Sequence, residues 1–373
     1  MRIVFLSNFY NHHQTEISHA MYEQTGGQYH FVATEKMPEE RRKLGYANLQ
    51  DVFVMQYGEN ADKDAQIKQL IDSADAIIVG SAPEYLLEHR KNQRKLILRY
   101  SERPLKNGFQ WWKYPVRWIR WHKNNPRRAP IYMLCASAYT ASDYAKFGLF
   151  KKRALKWGYF PCCKTYGNVE EMIAQKDKRE LLWCGRFLDW KHPDDALRVA
   201  ARLKQENVPF HLTMIGTGQM EEQLKAMTKT YGLMEHVTFT GAMSPEQVRT
   251  AMERAGIYLM TSDRKEGWGA VVNEAMNSGC ALVASREAGS VPYLVQDGCN
   301  GLQYKAGCID DLYKKVHLLL EHPEEQQRMG VVAYESLVTM WNAETAASRL
   351  VEIIAQLQEG TMKPFLDGPC SEA

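Results

Sequence analysis

Two glutamates, Glu266 and Glu274, stand eight positions apart in "SDRKEGWGAVVNEAMNSG" (262–279), with Gly267 and Gly269 flanking Trp268 just after the first. A carboxylate on a glycine-rich turn can accept from the hydroxyls of a ligand, and one inside a packed helix must find donors of its own. Upstream, "CGRFLDWKHPDDAL" sets Arg186 beside Gly185 and Lys191 five residues later, a planar fork and a point charge that together suit a diphosphate. In "MIGTGQMEEQL", Gly216 and Gly218 follow an apolar run, but Glu221 stands where a dinucleotide fingerprint needs its third glycine, which argues against NAD. "FTGAMSPEQV" places Gly241, Ala242 and Met243 before Ser244 and Pro245, a pair that suits helix N-cap and first helical residue. Near the start, "SNFYNHHQTEIS" gathers Asn11, His12, His13 and Gln14, groups that could bind an acceptor or handle a proton, and "YSERPLKNG" adds Ser101, Glu102 and Arg103.

Short β-branched runs alternate with amphipathic segments. "IVFLS", "FVAT", "AIIVGS", "LILRYS" and "IYMLCAS" fall in the first 140 residues, and after a polar stretch the pattern restarts with "LLWCGRF", "FHLTMIG", "HVTFTG", "IYLMTS" and "ALVAS". Such alternation predicts parallel sheets with crossover helices, in an N-terminal domain over 1–165 and a C-terminal domain over 166–340. Residues 341–373 are expected to form a crossover helix and a loose tail. Ligands of open parallel sheets bind beyond the carboxyl ends of the strands, so the loop "DRKEGWG" after "IYLMTS" and the loops carrying Arg186, Gly216 and Asn11 should all face one cleft.

With these motifs in order, the sequence resembles glycosyltransferases of the GT-B fold, most closely family four. The resemblance is strong over about 180–305 and one of pattern only over the first 160 residues. It implies that Glu274 binds the ribose of a nucleotide and Glu266 the donor sugar, with Gly267, Trp268 and Gly269 beside it. Arg186 and Lys191 would stabilise the leaving diphosphate, the Gly216–Gly218 turn would approach it, and Gly241, Ala242 and Met243 would lie along the base. It also implies transfer with retention, the departing diphosphate helping to take the acceptor proton; a base at His13 would be compatible with inversion. Departures are "AGSVPYLV", with Tyr293 where many relatives carry a glutamate, and a first loop without paired glycines. UDP is favoured over GDP as the donor nucleotide. No cofactor and no metal are expected, because Arg186 and Lys191 meet the leaving-group charge.

Composition narrows the setting. Hydrophobic residues are 45% and charged residues 24%, ordinary globular usage, and no apolar run is long enough to span a bilayer. Residues 90–128 hold thirteen Lys and Arg against Glu102 alone, a net +12 in a chain of +3. In the same stretch Trp111, Tyr114, Trp118 and Trp121 would align on one helical face beside Lys113, Arg117 and Arg120. A basic face with tryptophans in the core, an anionic membrane surface and a nucleic acid all suit that pattern; the membrane is favoured and no nucleic acid is expected, since no recognised module accompanies the charge. The eight cysteines suggest reduced, mostly buried thiols in the cytoplasm. The favoured function is transfer from a nucleotide sugar to a glycan acceptor, lipid-linked at the inner membrane face, in surface polysaccharide synthesis. The alternatives are a nucleotide-sugar epimerase of the same fold and a non-catalytic nucleotide-sugar or nucleic-acid binding protein.

Overall fold

Ile3–Ser7, Ala76–Val79, Ala255–Met260 and Ala281–Ser285 are buried along their whole length, which requires cover on both faces of each sheet. In the computed structural model, which describes residues 1–38 and 51–373, helices provide that cover. The chain divides into two compact units, Met1–Cys162 with Trp341–Ala373, and Cys163–Met340.

The first unit is built on a seven-stranded parallel sheet: β1 (Ile3–Ser7), β2 (Tyr29–Ala33), β3 (Val54–Gln56), β4 (Ala76–Val79), β5 (Ile97–Ser101), β6 (Ile131–Cys135) and β7 (Ala154–Lys156), in the order β3-β2-β1-β4-β5-β6-β7. The edge strands β3 and β7 have only three residues each, too few for a periodic signal, and the sequence pattern missed them. The second unit has six strands, β8 (Asp177–Cys184), β9 (His211–Ile215), β10 (Val237–Gly241), β11 (Ala255–Met260), β12 (Ala281–Ser285) and β13 (Leu302–Tyr304), in the order β10-β9-β8-β11-β12-β13. Strand order reverses between β1 and β4 in one sheet and between β8 and β11 in the other. There the connections leave on opposite faces and open a crevice at the carboxyl ends.

Three expectations need correction. The C-terminal segment is not loose. The Lys156 amide donates to Ser371 O at 2.8 Å and the Cys370 amide to Lys156 O at 2.8 Å, while Cys370 and Ser371 are buried. Arg349, on a helix (Ala343–Gln358) that packs against the helix His12–Gln24 of the same unit, donates to Asp367 O and Pro369 O and lies over the Phe365 ring. The tryptophan row also divides. A 3₁₀ turn (Trp111–Lys113) precedes the helix Tyr114–Asn124, so the two segments do not share one helical phase. Trp121 and Tyr114 pack against Phe147, whereas Trp111 is 73% and Trp118 43% exposed, alongside Trp112, Val116 and Ile119. None of the eight cysteines is paired in a disulfide, but only Cys135, Cys280 and Cys370 are buried.

Candidate functional site

In the second unit, the loops that leave β8 and β11 are tied together at the strand reversal. Trp183 Nε1 donates to Thr261 Oγ1 at 2.8 Å, and Thr261 Oγ1 donates to Lys191 O at 2.6 Å. The Asp263 amide donates to Trp190 O at 2.9 Å. This clamp brings Lys191 Nζ to 2.6 Å from Glu266 Oε2, with the two side chains 15% and 11% exposed. Ser262 Oγ donates to the same oxygen at 3.0 Å, and the Trp190 ring lies 4.6 Å from the Lys191 ammonium. With Oε2 engaged twice, Oε1 is left to accept from a ligand, and the ammonium keeps hydrogens for an anion. Arg186 is exposed at the end of β8, and among the described residues no carboxylate pairs with it. Ser262, Thr261 and Trp190 were not singled out from the sequence; Ser262 and Thr261, at the carboxyl end of an apolar strand, carried a weak positional signal.

Glu274 sits on the seven-residue helix Val271–Asn277. Burial raises its pKa and Arg249 opposes the rise. Burial pushes the Cys184 thiol up to about 12, with Glu274 adding to the shift and Lys191 opposing it, so both charges act on the end of β8. Arg249, which also donates to Asn277 Oδ1 at 2.7 Å, lies twenty-five residues before Glu274 and gave no local signal.

Gly216 and Gly218 have a cause inside the fold. Their φ values are +136° and +157°, and the loops after β8, β9 and β10 interlock through Gly185 N to Ile215 O, Phe187 N to Thr217 O and Gly216 N to Gly241 O. A Cβ on Gly216 would lie 1.9 Å from Gly185 O, and one on Gly218 2.6 Å from Phe187 O. Trp268 is fully buried and donates to Asn273 Oδ1 at 2.9 Å, so its ring belongs to the core, flanked by Gly267, also buried, and Gly269. Met243 lines a cavity of about 320 Å³ with Leu182 and Thr213, while Ala242 is exposed.

Among the described residues, metal-ligating groups meet at His192, Asp194 and Asp195, whose ligand atoms lie within 4.8 Å of one another. Arg198 already supplies the countercharge, at 2.9 Å from Asp194 and 3.5 Å from Asp195. Burial and Asp194 together push the Asp195 carboxyl up to about 6. An Asp-x-Asp triplet, Asp62 to Asp64, opens the helix Ala61–Ser73, where Asp64 Oδ1 accepts from the Gly58 amide at 2.7 Å.

In the first unit, a cavity of about 570 Å³ opens at the carboxyl ends of β1, β4 and β5. Asn11, His13, Gln14, Ser101, Glu102 and Arg103 all line it, whereas His12 is exposed outside it. Several of these groups are committed. Asn11 Oδ1 accepts from the His13 amide and Gln14 Oε1 from the Asn11 amide, a reciprocal cap of the helix His12–Gln24. Glu102 is ion-paired with Lys106 and accepts from Tyr159 Oη at 2.7 Å. Arg103 pairs with buried Asp143 at 3.4 Å and covers the Tyr139 ring. Ser101 Oγ donates to Glu102 O, and His13 stacks on Tyr159 at 5.3 Å.

The two parallel-sheet units define the GT-B fold class. Alr3699/HepE of Anabaena, solved with UDP, is similar over 96% of this chain and 100% of its own, with a TM-score of 0.69 at 15% identity. Residues 169–336 match the family model of glycosyl transferases group 1. The GDP-mannose-dependent alpha-(1-6)-phosphatidylinositol monomannoside mannosyltransferase of Mycolicibacterium smegmatis is 27% identical over 52% of this chain and 52% of its own. The alpha-D-kanosaminyltransferase of Streptomyces kanamyceticus is 25% identical over 51% and 49%. The chain spans about half the length of the curated relatives it matches.

Proposed function

We propose that the protein is a glycosyltransferase that moves a sugar from a nucleoside-diphosphate donor to a glycan acceptor. The observation that carries this reading is the Lys191–Glu266 pair, held with Ser262 at the ends of β8 and β11 and with Arg186 exposed nearby. Glu266 Oε1 accepts from a donor-sugar hydroxyl, and Lys191 and Arg186 take up the negative charge that grows on the diphosphate as the glycosidic bond breaks. Glu274 holds the ribose. No step requires a metal. The donor-nucleotide preference is UDP, then GDP, in keeping with the UDP complex of Alr3699/HepE and the GDP-mannose dependence of the mycobacterial relative. Transfer proceeds with retention, the departing diphosphate receiving the acceptor proton, and the acceptor glycan occupies the 570 Å³ cavity beside His13 and Tyr159. A thermal-shift series with UDP, GDP, ADP, CMP and NAD, each with and without EDTA, tests the donor site. Ligand at one hundred times Kd stabilises by about 2.7 kcal/mol, so UDP should raise Tm more than CMP, with EDTA changing little. A shift by NAD alone, or by no nucleotide, would refute the donor assignment, and interconversion of two nucleotide sugars without acceptor would identify an epimerase.

The acceptor is lipid-linked, and the exposed Trp111, Trp112, Val116, Trp118 and Ile119 meet an anionic membrane at its cytoplasmic face. No helix among the described residues is long and apolar enough to cross a membrane; the contact proposed is peripheral. Arg120 and Lys123 flank the apolar groups, and each such cation contributes about 1 kcal/mol near anionic lipid. Vesicle flotation should recover the protein with anionic lipid at low salt and less of it at high salt. Trp111→Ala/Trp118→Ala should lose binding, whereas Trp121→Ala should mainly lose stability because Trp121 is buried. Equal recovery of wild type and the Trp111/Trp118 variant would remove this surface from the membrane reading.

A further inference from the structure

At the amino ends of β6 and β7, away from the cavity at the carboxyl ends, the first unit contains a second hollow of about 400 Å³. Its walls are the segment from Asn125 to Arg127, which leaves the basic helix Tyr114–Asn124, and the turn from Gly148 to Arg153, which enters β7. Arg127, Lys151 and Arg153 line it, and no acidic residue does. Arg153 is half-buried. Its guanidinium donates to Ala129 O at 3.1 Å and Arg127 O at 3.5 Å and lies over the Tyr132 ring at 5.6 Å. Among the described residues none of the three cations has a carboxylate partner within ion-pair distance, and Arg127 and Lys151 are exposed.

The turn that presents two of these cations is strained. Gly148, Phe150 and Lys152 have φ of +72°, +57° and +55°, a region that the two non-glycine residues rarely adopt. Packing of Phe150 against Tyr144, with ring centroids 5.3 Å apart, offsets part of that strain. The result is a concave surface with two exposed cations and one half-buried one, without an acidic wall residue, and roomier than one tetrahedral anion fills. We propose that this hollow binds a phosphate ester, its phosphate between Arg127, Lys151 and Arg153 and its organic group in the remaining volume. Asn125 both caps the basic helix and forms a wall of the hollow, so the site adjoins the exposed tryptophan face, and a lipid headgroup or a soluble phosphorylated polyol could supply the same chemistry.

The test uses the whole protein and two sets of probes: inorganic phosphate and glycerol 3-phosphate by calorimetric titration, and phosphatidylcholine vesicles with or without phosphatidic acid by flotation. Arg127→Ala/Lys151→Ala leaves the carbonyl bonds of Arg153 in place, and Lys225→Ala/Lys229→Ala removes the same charge from an exposed helix of the second unit. Binding should fall at least about tenfold in the first variant and much less in the second. Glycerol 3-phosphate binding identifies a soluble ligand, and binding confined to phosphatidic acid vesicles identifies a headgroup. Equal losses in both variants, or no binding of any phosphate probe by the wild type, would overturn the proposal. No sugar donor enters either arm, so the outcome is independent of glycosyl transfer.

Discussion

Lys191→Ala is expected to lower turnover by roughly two powers of ten or more, because the ammonium acts on charge that develops only as the glycosidic bond breaks. The same change leaves the Glu266 carboxylate, 11% exposed, with only Ser262 as a side-chain partner. Loss of one partner from a buried pair costs about 3 kcal/mol or more, so a slow variant could simply be a partly unfolded one. Combining Lys191→Ala with Glu266→Gln removes the stranded charge. The double variant should therefore regain much of the lost Tm yet remain inactive. Glu266→Gln alone should reduce transfer more than nucleotide affinity, and Arg186→Ala, at an exposed position, should cut turnover with little change in Tm. Near-wild-type turnover in the folded Lys191→Ala or Arg186→Ala protein would remove the diphosphate role.

Gly216→Ala is expected to destabilise the second unit by about 3 kcal/mol or more. The added Cβ would lie 1.9 Å from the Gly185 carbonyl oxygen, a backbone atom that cannot rotate away, at a φ of +136° that side chains rarely adopt. Backbone strain of about 1–3 kcal/mol and overpacking of similar size both apply. Gly241 supplies the comparison: its φ is +73° but a Cβ there would meet nothing within 4 Å, so Gly241→Ala should cost about 1–2 kcal/mol from conformation alone. Urea unfolding followed by tryptophan fluorescence would measure both. Similar midpoints for the two variants would mean that the loops can separate without loss, and the interlocking of β8 and β9 would not be what requires Gly216. A Gly216→Ala protein that keeps its stability but loses nucleotide binding would instead return this glycine to the role of ligand approach that its motif suggested.

The sequence by itself determined the strand-and-helix alternation, ten of the thirteen strands among the described residues, the positions of Arg186, Lys191 and Glu266 in loops beyond strand ends, and that of Glu274 on the helix that follows. Those features are local: a fully buried strand must be apolar throughout, and a strand-end loop announces itself by glycine and charge. Short edge strands escaped because β3, β7 and β13 contribute three residues each, below the length at which a pattern can be distinguished. What only the tertiary structure decided is which side chains are already spoken for. Spacing could not reveal that Asn11 and Gln14 cap their own helix, that Arg103 is held by Asp143 forty residues away, or that Trp268 belongs to the core. It equally could not bring Lys191 to Glu266, seventy-five residues on, or turn Trp121 inward while Trp118 remains exposed. Hydrogen bonds and ion pairs are satisfied through space, and once a polar group has found a partner there its residue type no longer says whether it remains available to a ligand.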